Sequence, residues 1–187
     1  MYGIIATWRM ALEGISKADS MLKNNESAAD SIEEAIKAVE DFEYYKSVGY
    51  GGLPNEEMEV ELDAAFMDGD TLEFGCVGGV KDFANPVSIA RSLMHYDANN
   101  FLIGQGAEKY ASRHGFERKT MLTDRAKIHY HNRTKEITNT ELKPYSGHDT
   151  VGMVCLDTAG HMTSATSTSG LFMNCLLYTS PSPRDCS

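Results

Sequence analysis

The sequence has no dense cluster of positive charge, no long apolar run and no cysteine framework, and each absence removes a class of function. Seventeen Lys and Arg stand against 27 Asp and Glu, giving a formal net charge of -10 and a pI ≈ 5.0. A phosphate-binding surface needs clustered Lys and Arg, and the one basic cluster, residues 113–119, is short and mixed. Neither nucleic acid nor a membrane is therefore expected as a partner. No run approaches the ~18 apolar residues of a membrane span. Met1-Tyr2-Gly3-Ile4-Ile5 also lacks the basic start and long apolar stretch of a signal peptide. As written, the chain is expected in the cytoplasm; an upstream leader would redirect it to a periplasmic or lysosome-like compartment.

Cysteine is equally sparse. Cys76 and Cys155 lie in apolar, strand-like surroundings where a free thiol acts as a small core residue, and Cys175 and Cys186 lie in a tail of odd composition. No disulfide is expected. His129 and His131 are two apart on a predicted helix and so do not share a face, which argues against a metal pair. Neither a metal nor any other cofactor is expected.

What the chain does have is enough apolar material for one domain: 187 residues, 42% hydrophobic and 24% charged. Residues 3–8 form a short apolar run suited to a buried strand, which places Trp8 at a strand end. Helical spacing of Met10, Leu12, Ile15 and Met21 follows over residues 9–22. Ser27 is placed to cap a helix over 28–41, with Ala28, Ile32, Ala35, Ile36 and Val39 on one face. Three glycines within Gly49-Tyr50-Gly51-Gly52 allow either a tight loop or a site lining, and no Lys-Ser/Thr ending makes it a phosphate loop. Alternation over 60–66 and a turn at Asp68-Gly69 predict an antiparallel hairpin returning over 71–77. Asn85-Pro86 opens a helix as cap and first-turn proline. A strand over 101–104, a helix over 107–114 and a helix from Thr123 to about Arg133 follow, then a polar connection as far as Tyr145. Residues 151–155 and 161–168 form a last hairpin around Asp157-Thr158-Ala159-Gly160.

Function is concentrated in Gly147-His148-Asp149-Thr150-Val151-Gly152-Met153-Val154, where a polar segment stops and a β-branched strand begins on a threonine. A threonine hydroxyl is a weak nucleophile until a base lies beside it. If Thr150 becomes a new N-terminus, its own α-amine is that base, with a pKa near ~7.7–8.0.

Six segments together carry a resemblance: Ala6-Thr7-Trp8, Ser47 to Gly52, Leu62-Asp63-Ala64, Asn85 to Arg91, Gly147 to Val154, and Thr166-Ser167-Thr168-Ser169-Gly170. Over residues 3–173 the sequence resembles the glycosylasparaginase branch of the asparaginase-2 family, threonine-nucleophile members of the N-terminal-nucleophile hydrolases. The resemblance implies an α+β fold of the αββα sandwich type, incomplete in this chain. It also implies self-cleavage between Asp149 and Thr150, with Thr150 as nucleophile and later base, and Thr168 orienting it. His148, Asp149 and Ser47 would serve the cleavage, and Trp8 the substrate pocket. Residues 1–149 would then be the front subunit and 150–174 the start of the second, in an α/β heterodimer or its dimer. His-Asp-Thr at 148–150 resembles enzymes that cleave the glycan-asparagine bond, whereas isoaspartyl peptidases and L-asparaginases typically carry Gly where this chain has Asp149. A glycosyl-asparagine is thus the expected small-molecule substrate, the alternatives being an isoaspartyl peptidase/L-asparaginase or a non-catalytic fragment.

The family's Gly-Arg-Val-Gly-Asp-Ser substrate clamp and its later Thr-Gly oxyanion pair do not follow Gly170 here. Residues 175–187 instead resemble the translation of a sequencing adapter and are expected to be foreign. The chain as written is therefore expected to be an inactive front piece.

Overall fold

The computed structural model describes residues 1–137, 150–170 and 172. The described residues form six strands: β1 (Gly3–Ala6), β2 (Leu62–Asp68), β3 (Phe74–Val80), β4 (Phe101–Ile103), β5 (Val151–Leu156) and β6 (Met162–Thr168). They form one sheet in the order β1-β5-β6-β2-β3-β4. Every neighbouring pair is antiparallel except β3 and β4, which run parallel across the helical connection between them. The helices are α1 (Leu12–Lys23), α2 (Ala28–Glu40), α3 (Pro86–Leu93), α4 (Gly104–Arg113) and α5 (Asp124–Ile137). None is long and apolar enough to cross a membrane.

The period of two along each strand separates the faces of the sheet. Leu62, Ala64, Phe66, Val77, Val151, Met153, Cys155 and Ala165 are buried, and α2 and α3 pack against these strands. The opposite face carries Ile5, Phe74, Phe101, Ile103, Val154 and Met162, all exposed. The expected α+β class is therefore present. Of the sandwich implied by the resemblance, the described residues form one sheet with its helical layer.

Local chemistry explains most boundaries. The Ser27 hydroxyl accepts the Asp30 N–H at 3.0 Å and starts α2, and Thr123 does the same for Ala126 at 3.2 Å before α5. Several expectations need correction. The first strand is not buried, since Gly3 and Ile5 are exposed, and α4 starts at Gly104 rather than Ala107. The first helix opens as a 3-10 turn over Arg9–Ala11 before α1. The hairpin after β2 is wider than Asp-Gly alone would make it, because the Asp68 carboxylate accepts the N–H groups of Asp70 and Thr71 and delays β3 to Phe74. Asn85 holds the N-cap position of α3 as expected, but its side chain makes no cap bond: its backbone is left-handed at φ 49, and its amide instead reaches Glu40 and Asp41. The vacant role falls to Glu40, whose carboxylate accepts the Val87 N–H from another helix.

The helical layer itself depends on a close approach. A Cβ added to Gly14 on α1 would lie 2.3 Å from the carbonyl oxygen of Ala35 on α2, so the two backbones touch through this glycine. Alanine's helix propensity favours substitution by ~1 kcal/mol, but overpacking a fixed contact costs about 1–3 kcal/mol. Gly14→Ala is therefore expected to lower the urea midpoint of unfolding with an unchanged denaturant slope; a raised midpoint would show that the helices can separate freely.

Candidate active site

Strand register gathers the threonines. Val151 on β5 pairs with Ser167 on β6, and Asp63 on β2 pairs with Thr168, so Thr150, Thr168 and Asp63 follow one another across three adjacent strands. Residues directly opposite in such pairs share a face, about 4.5–5.5 Å apart at Cβ. The face is the one that α2 and α3 leave uncovered. The Asp63 carboxylate accepts the Gly79 N–H at 2.8 Å, and burial pushes its pKa above the ordinary carboxylate value, with the neighbouring Glu61 charge adding to the rise.

Thr150 is held from its other side by the chain leaving β1. The Thr7 hydroxyl donates to the Thr150 carbonyl at 3.1 Å and accepts the Gly152 N–H at 2.9 Å, while the Thr7 N–H donates to the Gly152 carbonyl at 2.9 Å. Thr7 thus clamps the residue that the sequence marks as nucleophile. Next to it, Trp8 occupies φ 60 and ψ 153, a backbone conformation costly for a residue with a Cβ, and is 45% exposed.

The glycine-rich segment closes the site from below. The Ser47 carbonyl accepts both the Ser169 N–H at 2.7 Å and the Thr168 hydroxyl at 3.2 Å. Gly49 can follow because its φ is 63 and because an added Cβ would lie 2.2 Å from the Glu40 carbonyl oxygen. Glu40 is fully buried, and its carboxylate accepts the Ser167 hydroxyl at 2.7 Å. Desolvation pushes its pKa up to about 7, against the opposing effect of the Ser167, Val87 and Asn85 hydrogen bonds.

Three of the residues marked by sequence therefore converge, Thr150, Thr168 and Ser47, and Trp8 follows directly on Thr7, the residue that clamps Thr150. His148 and Asp149 lie outside the described residues, as does the tail over 175–187. Thr7, Asp63 and Glu40 carried no assigned role at the level of sequence. Thr7 and Asp63 stand inside segments that matched the resemblance, which was their one available signal; Glu40 reads as the polar end of an amphipathic helix. His129 and His131 are not joined by further ligands, since the described residues contain no group of three or more His, Cys, Asp or Glu able to hold a metal. Cys155 is a buried free thiol, its pKa pushed up to about 11 by desolvation and by the Asp157 charge, whereas Cys76 is a half-buried free thiol on the uncovered face.

The single mixed sheet with its helical layer, which sets Thr150 beside Thr168, is an α+β fold like that of the N-terminal-nucleophile hydrolases. The chain is a member of the Asparaginase_2 (asparaginase) family, whose pattern matches residues 6–176. It is 32% identical over 168 residues to the N(4)-(Beta-N-acetylglucosaminyl)-L-asparaginase of Elizabethkingia miricola, covering 90% of this chain and 49% of that protein. It is 37% identical over 168 residues to the isoaspartyl peptidase/L-asparaginase of Mus musculus, covering 85% and 51%. To the plant-type L-asparaginase of Thermococcus kodakarensis it is 34% identical over 183 residues, covering 91% and 55%. The chain spans about half the length of these relatives.

The buried Glu40 makes stability depend on pH. Its carboxyl holds a proton more tightly when folded than when unfolded, so its contribution is fully present below the ordinary value of 4.5 and is lost as pH rises to about 7. The loss is on the order of 3 kcal/mol. Glu40→Gln keeps an accepting oxygen without a charge. Thermal unfolding measured from pH 4.5 to 7.5 is expected to show a falling wild-type midpoint and a flatter profile in the variant; parallel profiles would remove Glu40 as the source.

Proposed function

We propose that this chain comes from an autoprocessing amidohydrolase that cleaves the amide between N-acetylglucosamine and asparagine, with Thr150 as its nucleophile. The observation that carries the reading is the hold on Thr150: Thr7 fixes its carbonyl from one side, and register sets Thr168, itself bonded to Ser47, on the other. A nucleophile gains most when its approach is fixed before reaction.

In the proposed precursor step, the Thr150 hydroxyl attacks the Asp149 carbonyl carbon, its proton passing to the Asp149 carboxylate. Collapse of the adduct breaks the Asp149–Thr150 C–N bond, the proton passing on to the leaving nitrogen, so the Thr150 α-amine is freed as the ester forms. Water then hydrolyses the ester, releasing the Asp149 α-carboxylate and restoring the Thr150 hydroxyl. His148 and Ser47 serve this step by shaping the turn. In the mature step the α-amine takes the hydroxyl proton, Oγ attacks the side-chain amide carbon of the asparagine, and the amine returns the proton to the departing glycosylamine. Water then hydrolyses the β-aspartyl ester and releases aspartate. Trp8, at the end of β1, forms part of the substrate pocket, and residues 1–149 and 150–174 become parts of the two subunits of a heterodimer. No cofactor is needed by this chemistry.

A second reading, isoaspartyl peptidase/L-asparaginase, is favoured by identities of 36% and 37% to the rat and mouse proteins of that name. The two differ in what leaves: a glycosylamine in the first, an amino acid or ammonia in the second. Asp149 where that branch typically has Gly supports the first.

The test uses the chain joined to its natural continuation. Intact mass is expected to show cleavage between Asp149 and Thr150 in the wild type and one uncut chain in Thr150→Ala, with hydrolysis reduced by at least ~10⁴-fold. Cleavage at the same bond in Thr150→Ala would remove Thr150 from its role. Aspartate release from a glycosyl-asparagine should exceed release from a β-aspartyl dipeptide; the reverse ranking would favour the second reading. The 187-residue chain alone is expected to release no aspartate from either substrate.

A further inference from the structure

Glu40 is fully enclosed at the end of α2, and its two ends hold different parts of the site. Its carboxylate accepts the hydroxyl of Ser167 at 2.7 Å and the N–H of Val87 at 3.1 Å, and the Asn85 amide donates to its other oxygen at 3.3 Å. Its main-chain carbonyl accepts the Tyr50 N–H at 2.7 Å. Tyr50 is three residues from Ser47, and Ser167 directly precedes Thr168. Since Thr168 donates to the Ser47 carbonyl at 3.2 Å, the contacts close a circuit: Glu40 carboxylate, Ser167, Thr168, Ser47, Tyr50 and back to the Glu40 carbonyl.

A carboxylate enclosed in this way is costly unless its hydrogen bonds compensate. The groups that face Glu40 are Asp41 on its own helix, the Asn85 amide and Val87 N–H on the α3 side, Ser167 on β6, and the backbone of Gly49 and Tyr50. No cation pairs with it among the described residues. Its strongest contacts are spent on β6 beneath Thr168 and on the turn that carries Ser47.

We propose that Glu40 is a positioning residue of the threonine site: through Ser167 and Tyr50 it holds Thr168 and Ser47 in fixed relation without itself touching substrate. The functional half of this statement rests on the reading of Thr168 as the residue that orients Thr150. Its geometric half stands apart from any reaction.

Amide hydrogen exchange of the 187-residue chain tests the circuit directly. The reporters are the Ser169 N–H, bonded to the Ser47 carbonyl, and the Gly170 N–H, bonded to the Thr168 hydroxyl. The Val87 N–H, bonded to Glu40 but outside the circuit, is the control. Ser167→Ala is expected to speed exchange at Ser169 and Gly170 by about tenfold, the effect of one lost hydrogen bond, and to leave Val87 unchanged. Glu40→Gln, which retains an accepting oxygen, is expected to keep wild-type protection at Ser169 and Gly170 at pH 6. Unchanged exchange at both reporters in Ser167→Ala would overturn the proposal, as would equal acceleration at Val87, which would mark general loosening. In the chain joined to its natural continuation, Ser167→Ala is expected to lower kcat with KM little changed; a raised KM at unchanged kcat would also overturn it. Absence of amidase activity in the wild type would instead end the proposed reaction, leaving the exchange data to decide the geometry.

Discussion

The antiparallel pairing of β5 with β6 is the constraint on which the site depends, because side chains alternate faces along both strands. Val151 opposite Ser167 sets Thr150 beside Thr168; a slip of one residue would turn one of the two toward α2 and separate them. Nothing in the hydroxyls themselves prevents such a slip. The core does: Val151, Met153 and Cys155 are fully or almost fully buried against the helical layer, and exposing that set would cost several kcal/mol in lost apolar burial. On the outer side, Ala6 pairs with Met153 and Thr7 grips both Thr150 and Gly152. Packing and hydrogen bonding thus specify the same register independently.

Much of this was legible in the sequence, and the failures have definite causes. The amphipathic periods of residues 28–40, the caps at Ser27 and Thr123 and the alternation through Val151, Met153 and Cys155 are local signals, and the local structure follows them. Asn85 takes the N-cap position as its place before Pro86 implies, but a longer-range contact with Glu40 and Asp41 draws its amide away from the capping bond. The turn after β2 was wrong for a related reason: Asp68 binds the backbone ahead of it more strongly than a bare Asp-Gly pair would. Thr150, Thr168, Ser47 and Trp8 could be marked because they stand in recognisable segments. Thr7 and Glu40 acquire their importance only from residues more than a hundred positions away, Thr150 and Ser167, which no local pattern encodes.

Strand β6 also separates two acids held in different environments. Below it, Glu40 is enclosed and bonded to Ser167; across from it, Asp63 follows Thr168 in the lateral row and is bonded to Gly79. Burial disfavours the charged form of each. The threonine row is accordingly set among groups whose charge the protein suppresses rather than displays, although the chain as a whole carries a net charge of -10.

The placement of Trp8 has a consequence for observation. It is the sole tryptophan of the sequence, against nine tyrosines, and it follows directly on the residue that grips Thr150. Its indole is partly open to solvent and its backbone is constrained at φ 60. The molecule therefore carries an intrinsic fluorophore beside its own clamp, so that emission excited at the indole band reads the state of that corner in unlabelled protein.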